Sequence, residues 1–273
     1  MGDNARGEPL AADSAEGSAF YDEMWRRYGH LDAKSPAAFH RRRLVRRLVE
    51  RHAAGAGRVV DIGCGQGELL VELARALPRA RLFGADVSEQ SLRRARDKNP
   101  EVELFALDLC APNFERHHRD RLGSFDLVVC SEVVEHVDDD ILAVRHLSLL
   151  LAPGGWLVLT VPGGRMSRFD ERIGHQRHYS VGQLASLLQT TGLSPVELLA
   201  WGFPFQNLYR TAVRIASRAA IAEHPAEKAP SSARLDTGLG RAYELFGLAL
   251  KPLFYFNLSR WGEQLLAVAQ MPR

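Results

Sequence analysis

The stretch VVDIGCGQGELL, Val59 to Leu70, decides the fold. An apolar run ends in Asp61, Gly63, Gly65 and Gly67 follow at alternate positions, and a helix-like segment begins at Glu68. This is a buried strand feeding a glycine turn and then a helix. The glycines let the chain turn tightly and let a ligand approach the backbone. The helix start presents free N–H groups and a positive dipole end. The G-x-G-x-G spacing is not the G-x-G-x-x-G of dinucleotide sites.

The pattern repeats outward from there. RLFGADVS reads as the next strand, with Ser88 capping the helix EQSLRRARDK. VELFALDLC reads as a third strand. FDLVVCSEVVEHV reads as a fourth strand running into a helix, and GWLVLTVP as a fifth. A helix over SVGQLASLLQTTG, a strand over PVELLAW and a last strand over GEQLLAVAQ complete the alternation. Alternating strands and helices predict an α/β, doubly wound, Rossmann-like, mostly parallel sheet with helices on both faces.

Composition narrows the function classes. The chain has 273 residues, 46% of them hydrophobic, enough for one core. A formal net charge of +2 does not mark a nucleic-acid binder, and none is expected as a partner. Arg41, Arg42, Arg43, Arg46 and Arg47 read as a solvated helix face. Cys64, Cys110 and Cys130 form no disulfide framework and suit reduced thiols in a cytoplasmic protein. No apolar run is long enough for a membrane span. The expected organisation is a disordered tail over 1–19 and N-terminal helices over 20–52, with Tyr21, Trp25 and Tyr28 as packing or lid aromatics. The core then covers 53–201 with 262–273, and a helical, partly flexible insertion covers 202–261. The insertion aromatics, Phe203, Phe205, Phe254, Tyr255 and Phe256, suit an apolar acceptor pocket, a homodimer face or shallow membrane docking.

Three successive strand ends carry an acid: Asp61, Asp86 and Asp108. Asp86 can accept from both ribose hydroxyls. Such a series fits an adenosine without phosphate, because carboxylates beside a pyrophosphate would repel it.

With these blocks in view, the chain resembles the class I S-adenosylmethionine-dependent methyltransferases over roughly residues 40 to 200. VVDIGCGQG, FGADVS, FDLVVCSEVVEHV and LLLAPGGWLVLTVP carry the likeness in order. The nearest subgroup looks like the ubiquinone-type O-methyltransferases, whose arginine before the first strand falls on Arg43. The resemblance implies a seven-stranded sheet with an antiparallel last strand. It implies S-adenosylmethionine as cofactor, with Gly63 and Gly65 against its methionine part and Arg43, Asp61, Cys64 and Gly67 among the cofactor-binding residues. It further implies Asp86 on the ribose, Val87, Asp108 and Leu109 around the adenine, and Ser131 beside the cofactor. The expected reaction is methyl transfer to a hydroxyl oxygen of a small, partly apolar acceptor. N- or C-methylation and RNA-end 2′-O-methylation are the alternatives.

SEVVEHV is the remaining motif. On a helix, Glu132, Glu135 and His136 would share one face. Three readings stand: backbone positioning, a Mg2+ or Mn2+ site as the resemblance implies, or His136 as general base. The later cluster GHQRHYS brings His175 and His178 as further catalytic candidates, with Arg177 and Tyr179 beside them.

Overall fold

A computed structural model describes residues 19, 21–23, 35–223, 251–257 and 261–273. The expectations for the tail, for Trp25 and Tyr28, for 224–250 and for the side chain of Tyr255 lie outside the described residues.

Helix α1 (Pro36–His52) begins where Ser35 Oγ accepts from Ala38 N and Pro36 occupies the first turn. Then come β1 (Arg58–Ile62), α2 (Glu68–Ala76), β2 (Arg81–Asp86), α3 (Glu89–Lys98), β3 (Glu103–Ala106) and α4 (Phe114–His117). After β4 (Phe125–Ser131) follow a single 3-10 turn (Val134–His136), α5 (Asp140–Leu150), β5 (Leu151–Pro162) and α6 (Arg168–Arg172). The chain continues through α7 (Val181–Thr190), β6 (Ser194–Trp201), α8 (Phe205–Glu223), a second 3-10 turn (Lys251–Phe256) and β7 (Gln264–Gln270).

The seven strands form one sheet in the order β3-β2-β1-β4-β5-β7-β6. β3, β2, β1, β4 and β5 pair in parallel, while β7 runs antiparallel to both β5 and β6. Strand order reverses between β1 and β4, and a crevice opens at such a reversal beyond the carboxyl ends of the strands.

Alternation along each strand fills both faces. Val60, Ile62, Val128, Cys130, Leu157 and Leu159 bury one way against α5 and α7. Val59, Leu127, Val129 and Val158 bury the other way with Val45, Leu48 and Val49 of α1 and Leu69 and Leu73 of α2. Each fully buried valine or leucine contributes about 1.5–3 kcal/mol. Gly84 sits between two leucines with no room for a side chain: a Cβ there would come within 2.7 Å of Leu104 and 2.9 Å of Leu70.

Two differences from the sequence reading bear on the site, apart from β5 beginning at Leu151, earlier than GWLVLTVP. β3 stops at Ala106, so Asp108 lies in the loop beyond it. β4 does not run into a helix. Glu132 takes a left-handed φ of 57°, and only one 3-10 turn follows. No helix among the described residues is long and apolar enough to cross a membrane.

Candidate cofactor cleft and histidine pocket

The glycine turn is pulled onto the neighbouring strand. Gly63 N and Cys64 N donate to Ala85 O at 2.7 and 3.0 Å. Gly63, Gly65 and Gly67 all hold positive φ, at 72°, 53° and 82°. A Cβ on Gly63 would lie 2.2 Å from Val133 Cγ2, so the turn abuts the segment after β4. Asn99 Nδ2 donates to Gly67 O at 3.2 Å and secures the start of α2.

Asp86 is buried at the end of β2. Its Oδ2 accepts from Gly65 N at 2.8 Å and its Oδ1 from Ser88 N at 2.9 Å. Burial pushes its carboxyl up to about 6, against the pull of those N–H groups. Asp61 is more extreme. It is buried, and neither oxygen has a hydrogen-bond partner among the described residues. Burial, then the charge of Asp86, drives its carboxyl well above the carboxylate range.

On the other side of β2, Asp108 Oδ1 accepts from Cys110 N at 2.8 Å. Leu109 is buried, and its carbonyl accepts from His146 Nδ1 at 2.7 Å. Val87 is half-buried between Asp86 and Ser88. Burial raises all three cysteine thiols, Cys110 to about 11, so none is a thiolate nucleophile at neutral pH.

The shared helix face expected for Glu132, Glu135 and His136 does not form, because the chain turns left-handed at Glu132. That turn splits the motif. Glu132 Oε1 accepts from Thr160 Oγ1 at 3.0 Å, and Thr160 Oγ1 meets Ser131 Oγ at 2.9 Å. Glu132 Oε2 faces Arg41 Nη1 of α1 at 3.6 Å. Arg177, which could have neutralised the two glutamates, instead donates to Asp138 O at 2.7 Å and pairs with Asp140 at 3.6 Å. Arg43 lies close enough to His40 to assist burial in lowering that imidazole to about 4. Arg41 is the arginine paired with Glu132.

Glu135 and His136 turn toward the loop after α6. Donor atoms of Glu135, His136 and His175 all lie within 4.8 Å of one another. Glu135 is fully buried, and neither carboxylate oxygen has a partner among the described residues. Burial, then the charge of Glu132, raises its carboxyl well above the ordinary range. Its backbone carbonyl accepts from Gln176 N at 2.7 Å, which ties the turn to the histidine loop.

His136 meets His175 edge-on, with ring centroids 4.7 Å apart, and Tyr21 covers it edge-on at 5.9 Å. The Gly174 carbonyl faces one ring nitrogen of His136 and favours the protonated form. A carbonyl only accepts, so that nitrogen carries the proton. The Nδ1 atom, buried without a partner, is left as a lone pair. Burial lowers His136 to about 4; burial and then His136 lower His175 to about 3. Burial also lowers His178, so all three imidazoles are neutral near pH 7.

His175 Nδ1 lies 3.1 Å from His178 Nε2, and Asp170 Oδ2 lies 3.9 Å from His178 Nε2. Asp170, His175 and His178 thus form a second group with donor atoms within 4.8 Å. Two arginines of α8 face Asp170, Arg210 at 3.6 Å and Arg214 at 4.0 Å, and their charge disfavours a cation there.

A model of a methyltransferase domain family matches residues 37–198, more than half of the chain. The chain belongs to that family. Among relatives of this chain, a ubiquinone biosynthesis O-methyltransferase of Chromobacterium violaceum is 37% identical over 111 residues, 40% of this chain and 47% of that protein. One from Ralstonia nicotianae is 32% identical over 156 residues, 52% of this chain and 64% of its own length. The chain therefore spans less than two thirds of these relatives.

Solved structures with the same fold include the [4+2]-cyclase SpnF, at TM-score 0.60 and 18% identity, covering 97% of this chain and 99% of that one. Another is Haemonchus contortus phosphoethanolamine N-methyltransferase 2 in complex with S-adenosyl-L-methionine, at TM-score 0.58 and 17% identity, covering 88% of this chain and 54% of that one. A cyclase and an N-methyltransferase on one fold mean that the reaction must be argued from the site.

Thr160, Asp170, Arg210 and the pairing role of Arg41 were not anticipated from sequence. For Asp170 a signal was present: SRFD, Ser167 to Asp170, has the spacing of a helix-capping box, and Ser167 N and Oγ both donate to Asp170 Oδ2 at 2.7 Å.

Proposed function

We propose that this methyltransferase-family protein transfers the methyl group of S-adenosylmethionine to a hydroxyl oxygen of a small, partly apolar acceptor. The observation that carries the reading is a shared wall. The glycine turn abuts Val133, and two and three residues on, Glu135 and His136 enter the pocket of neutral imidazoles. A cofactor cradle and a proton-accepting pocket therefore adjoin.

The cradle fits the cofactor chemically. Asp61 is a buried carboxylate without a donor, and the cofactor's amino group would supply one. Asp86 keeps acceptor capacity beyond its two backbone N–H bonds, enough for a ribose diol. Gly63, Cys64, Gly65, Gly67 and Ser131 would line the methionine end, and Val87, Asp108 and Leu109 the adenine. The bound cofactor supplies an activated methyl group, so the protein's work is alignment and removal of the acceptor's proton. His136 Nδ1 holds a free lone pair for that proton, with His175 beside it.

A second reading is favoured by Glu135. Its two unpartnered oxygens, with His136 and His175, would hold one divalent cation. Two imidazoles and one carboxylate suit manganese, zinc or iron better than magnesium, which prefers oxygen. Such an ion would orient and acidify an acceptor hydroxyl. The ligand set then contains His175 in place of Glu132, whose oxygens already face Thr160 and Arg41.

The test is methyl transfer from S-adenosylmethionine to a panel of phenols, catechols and primary amines, with and without chelator. Turnover of hydroxylated acceptors, lost in His136→Ala, supports the first reading. Turnover confined to amines, or unchanged in His136→Ala, refutes it. Loss in chelator with recovery in manganese supports the second.

A further inference from the structure

Two arginines of helix α8 reach Asp170 of α6 and Glu263, just before β7. Arg210 Nη2 lies 3.6 Å from Asp170 Oδ1, and Arg214 Nη2 lies 4.0 Å from Asp170 Oδ2. Both arginines also meet Glu263, at 3.8 and 3.2 Å. Two cations and two anions thus balance. Backbone contacts fix the same arginines: Arg210 Nη1 donates to Glu263 O at 2.9 Å, and Arg214 Nη2 to Arg165 O at 2.8 Å. Arg210 is largely buried, with 11% of its side chain exposed, and Asp170 has 7% exposed. A network this enclosed is screened little by salt, so its geometry is held firmly.

Asp170 is the end of that network nearest the imidazoles. Its backbone carbonyl accepts from His175 N at 3.0 Å, and its carboxylate sits 3.9 Å from His178 Nε2. His178 Nε2 also lies 3.1 Å from His175 Nδ1, so one of these nitrogens carries the shared proton. The Asp170 carboxylate, 3.9 Å from His178 Nε2, and the Gly164 backbone both favour a proton on this ring, and Nδ1 has no hydrogen-bond partner among the described residues, which leaves Nε2 to carry it. His178 then donates, and His175 Nδ1 accepts. The remaining proton of His175 is left on Nε2, the other ring nitrogen. This is the arrangement by which outlying carboxylates fix the tautomer of a functional histidine.

We propose that Asp170 is a positioning residue, clamped by Arg210 and Arg214, that fixes the tautomers of His178 and His175. The insertion helix α8 thereby sets the geometry of the pocket opposite His136. The consequence for methyl transfer rests on the function proposed above, whereas the clamp itself is read without turnover.

The test is long-range 1H–15N NMR of the imidazoles in the full chain, with His175 and His178 assigned from single His→Gln variants. In wild type, His178 should show the Nε2–H tautomer and His175 an acceptor Nδ1. Asp170→Asn keeps the volume and removes the charge; both residues should then shift to mixed tautomers. Arg210→Ala should move them the same way, and Arg210→Lys should restore the wild-type pattern. His146, held by Leu109 O away from this network, should not change in any of them. Calorimetric affinity for S-adenosylhomocysteine should stay within about twofold in Asp170→Asn, because the cradle does not include Asp170. Wild-type tautomers in folded Asp170→Asn overturn the proposal. Altered tautomers in Asp170→Asn with none in Arg210→Ala overturn the clamp by α8. Loss of turnover in His175→Gln with unchanged tautomers in Asp170→Asn refutes the positioning and leaves the function intact. Tautomers ordered in wild type and altered in Asp170→Asn, with no wild-type turnover of any hydroxylated acceptor, do the reverse.

Discussion

Asp86 gives the sharpest test of where the adenosine sits. In the free protein its carboxyl is raised to about 6, with burial the largest cause. A raised acid stabilises the folded state at low pH, and that contribution is lost as pH climbs through the folded value. The unliganded protein should thus lose about 3 kcal/mol from this group between about pH 4 and pH 6. A ribose diol donates to the ionised form, so binding should favour the deprotonated state. If the ligand binds only that form, its Kd should scale as one plus the protonated-to-ionised ratio. From about pH 7 to about pH 5, S-adenosylhomocysteine should bind about tenfold more weakly. His136 and His175, lowered to about 4 and about 3, do not titrate in that window. Calorimetry in buffers of different ionisation enthalpy should show about one proton released per ligand at about pH 5. Asp86→Asn should weaken binding at least tenfold at neutral pH, since charge-assisted bonds contribute roughly 1.5–3 kcal/mol each. It should also flatten the pH dependence. A flat wild-type profile, or the same slope in folded Asp86→Asn, would refute the placement of the ribose.

Gly63→Ala combines a left-handed φ of 72° with a Cβ 2.2 Å from Val133 Cγ2, and should cost about 2–4 kcal/mol; an unchanged melting temperature would contradict the tight approach of turn and motif. Thr160→Val removes the hydroxyl shared by Ser131 and Glu132 in a fully buried position, and should lower stability by about 1–3 kcal/mol in urea denaturation; a wild-type midpoint would show that link to be dispensable. His136→Ala should reduce methyl transfer to a hydroxyl acceptor by about 10²–10⁴-fold under the base reading, with wild type indifferent to chelator. Chelator-sensitive wild type restored by manganese would move the role of His136 from base to ligand.

The parts of the site built from local signals were legible in the sequence. The acids at Asp61 and Asp86 end continuous apolar runs of the kind a strand buried on both faces shows, and the glycines mark the turn between strand and helix. SEVVEHV misled, because its spacing matches a helix face. Two adjacent β-branched residues, Val133 and Val134, oppose helix there. The left-handed turn at Glu132 then sends its side chain to Thr160 rather than toward Glu135. The short β3 is a related case: LFALDLC is apolar enough for a longer strand, but Leu107 N donates to Asp86 O and Cys110 N to Asp108, which bends the chain away. Asp170 and Arg210 lie forty residues apart in sequence, and no local pattern links them. Such pairings become visible only once β5, α6 and α8 are docked.

The buried acids of this cleft divide by what serves them. Asp86 has two backbone N–H groups, and Asp170 has Ser167 and two arginines. Asp61 and Glu135 have no hydrogen-bond partner among the described residues, although both are buried. An unpaired buried carboxylate costs several kcal/mol, so in the free protein burial favours the protonated form of each. Asp61 lies on β1 and Glu135 just beyond β4, the two strands that flank the reversal in sheet order. The unmet demand is therefore concentrated where a ligand enters, on both sides of the same crevice. A ligand that brings a donor to Asp61 recovers part of that cost, and stabilises the fold by mass action as it does so. Glu135 asks for something different, because its neighbours His136 and His175 are lone-pair carriers and cannot both donate to it while accepting a proton from an acceptor. Either it stays protonated and gives its own hydrogen bond to one imidazole, or a cation satisfies all three at once. The first state leaves a base in the pocket and the second removes it, which is why chelator and the His136→Ala variant must be read together.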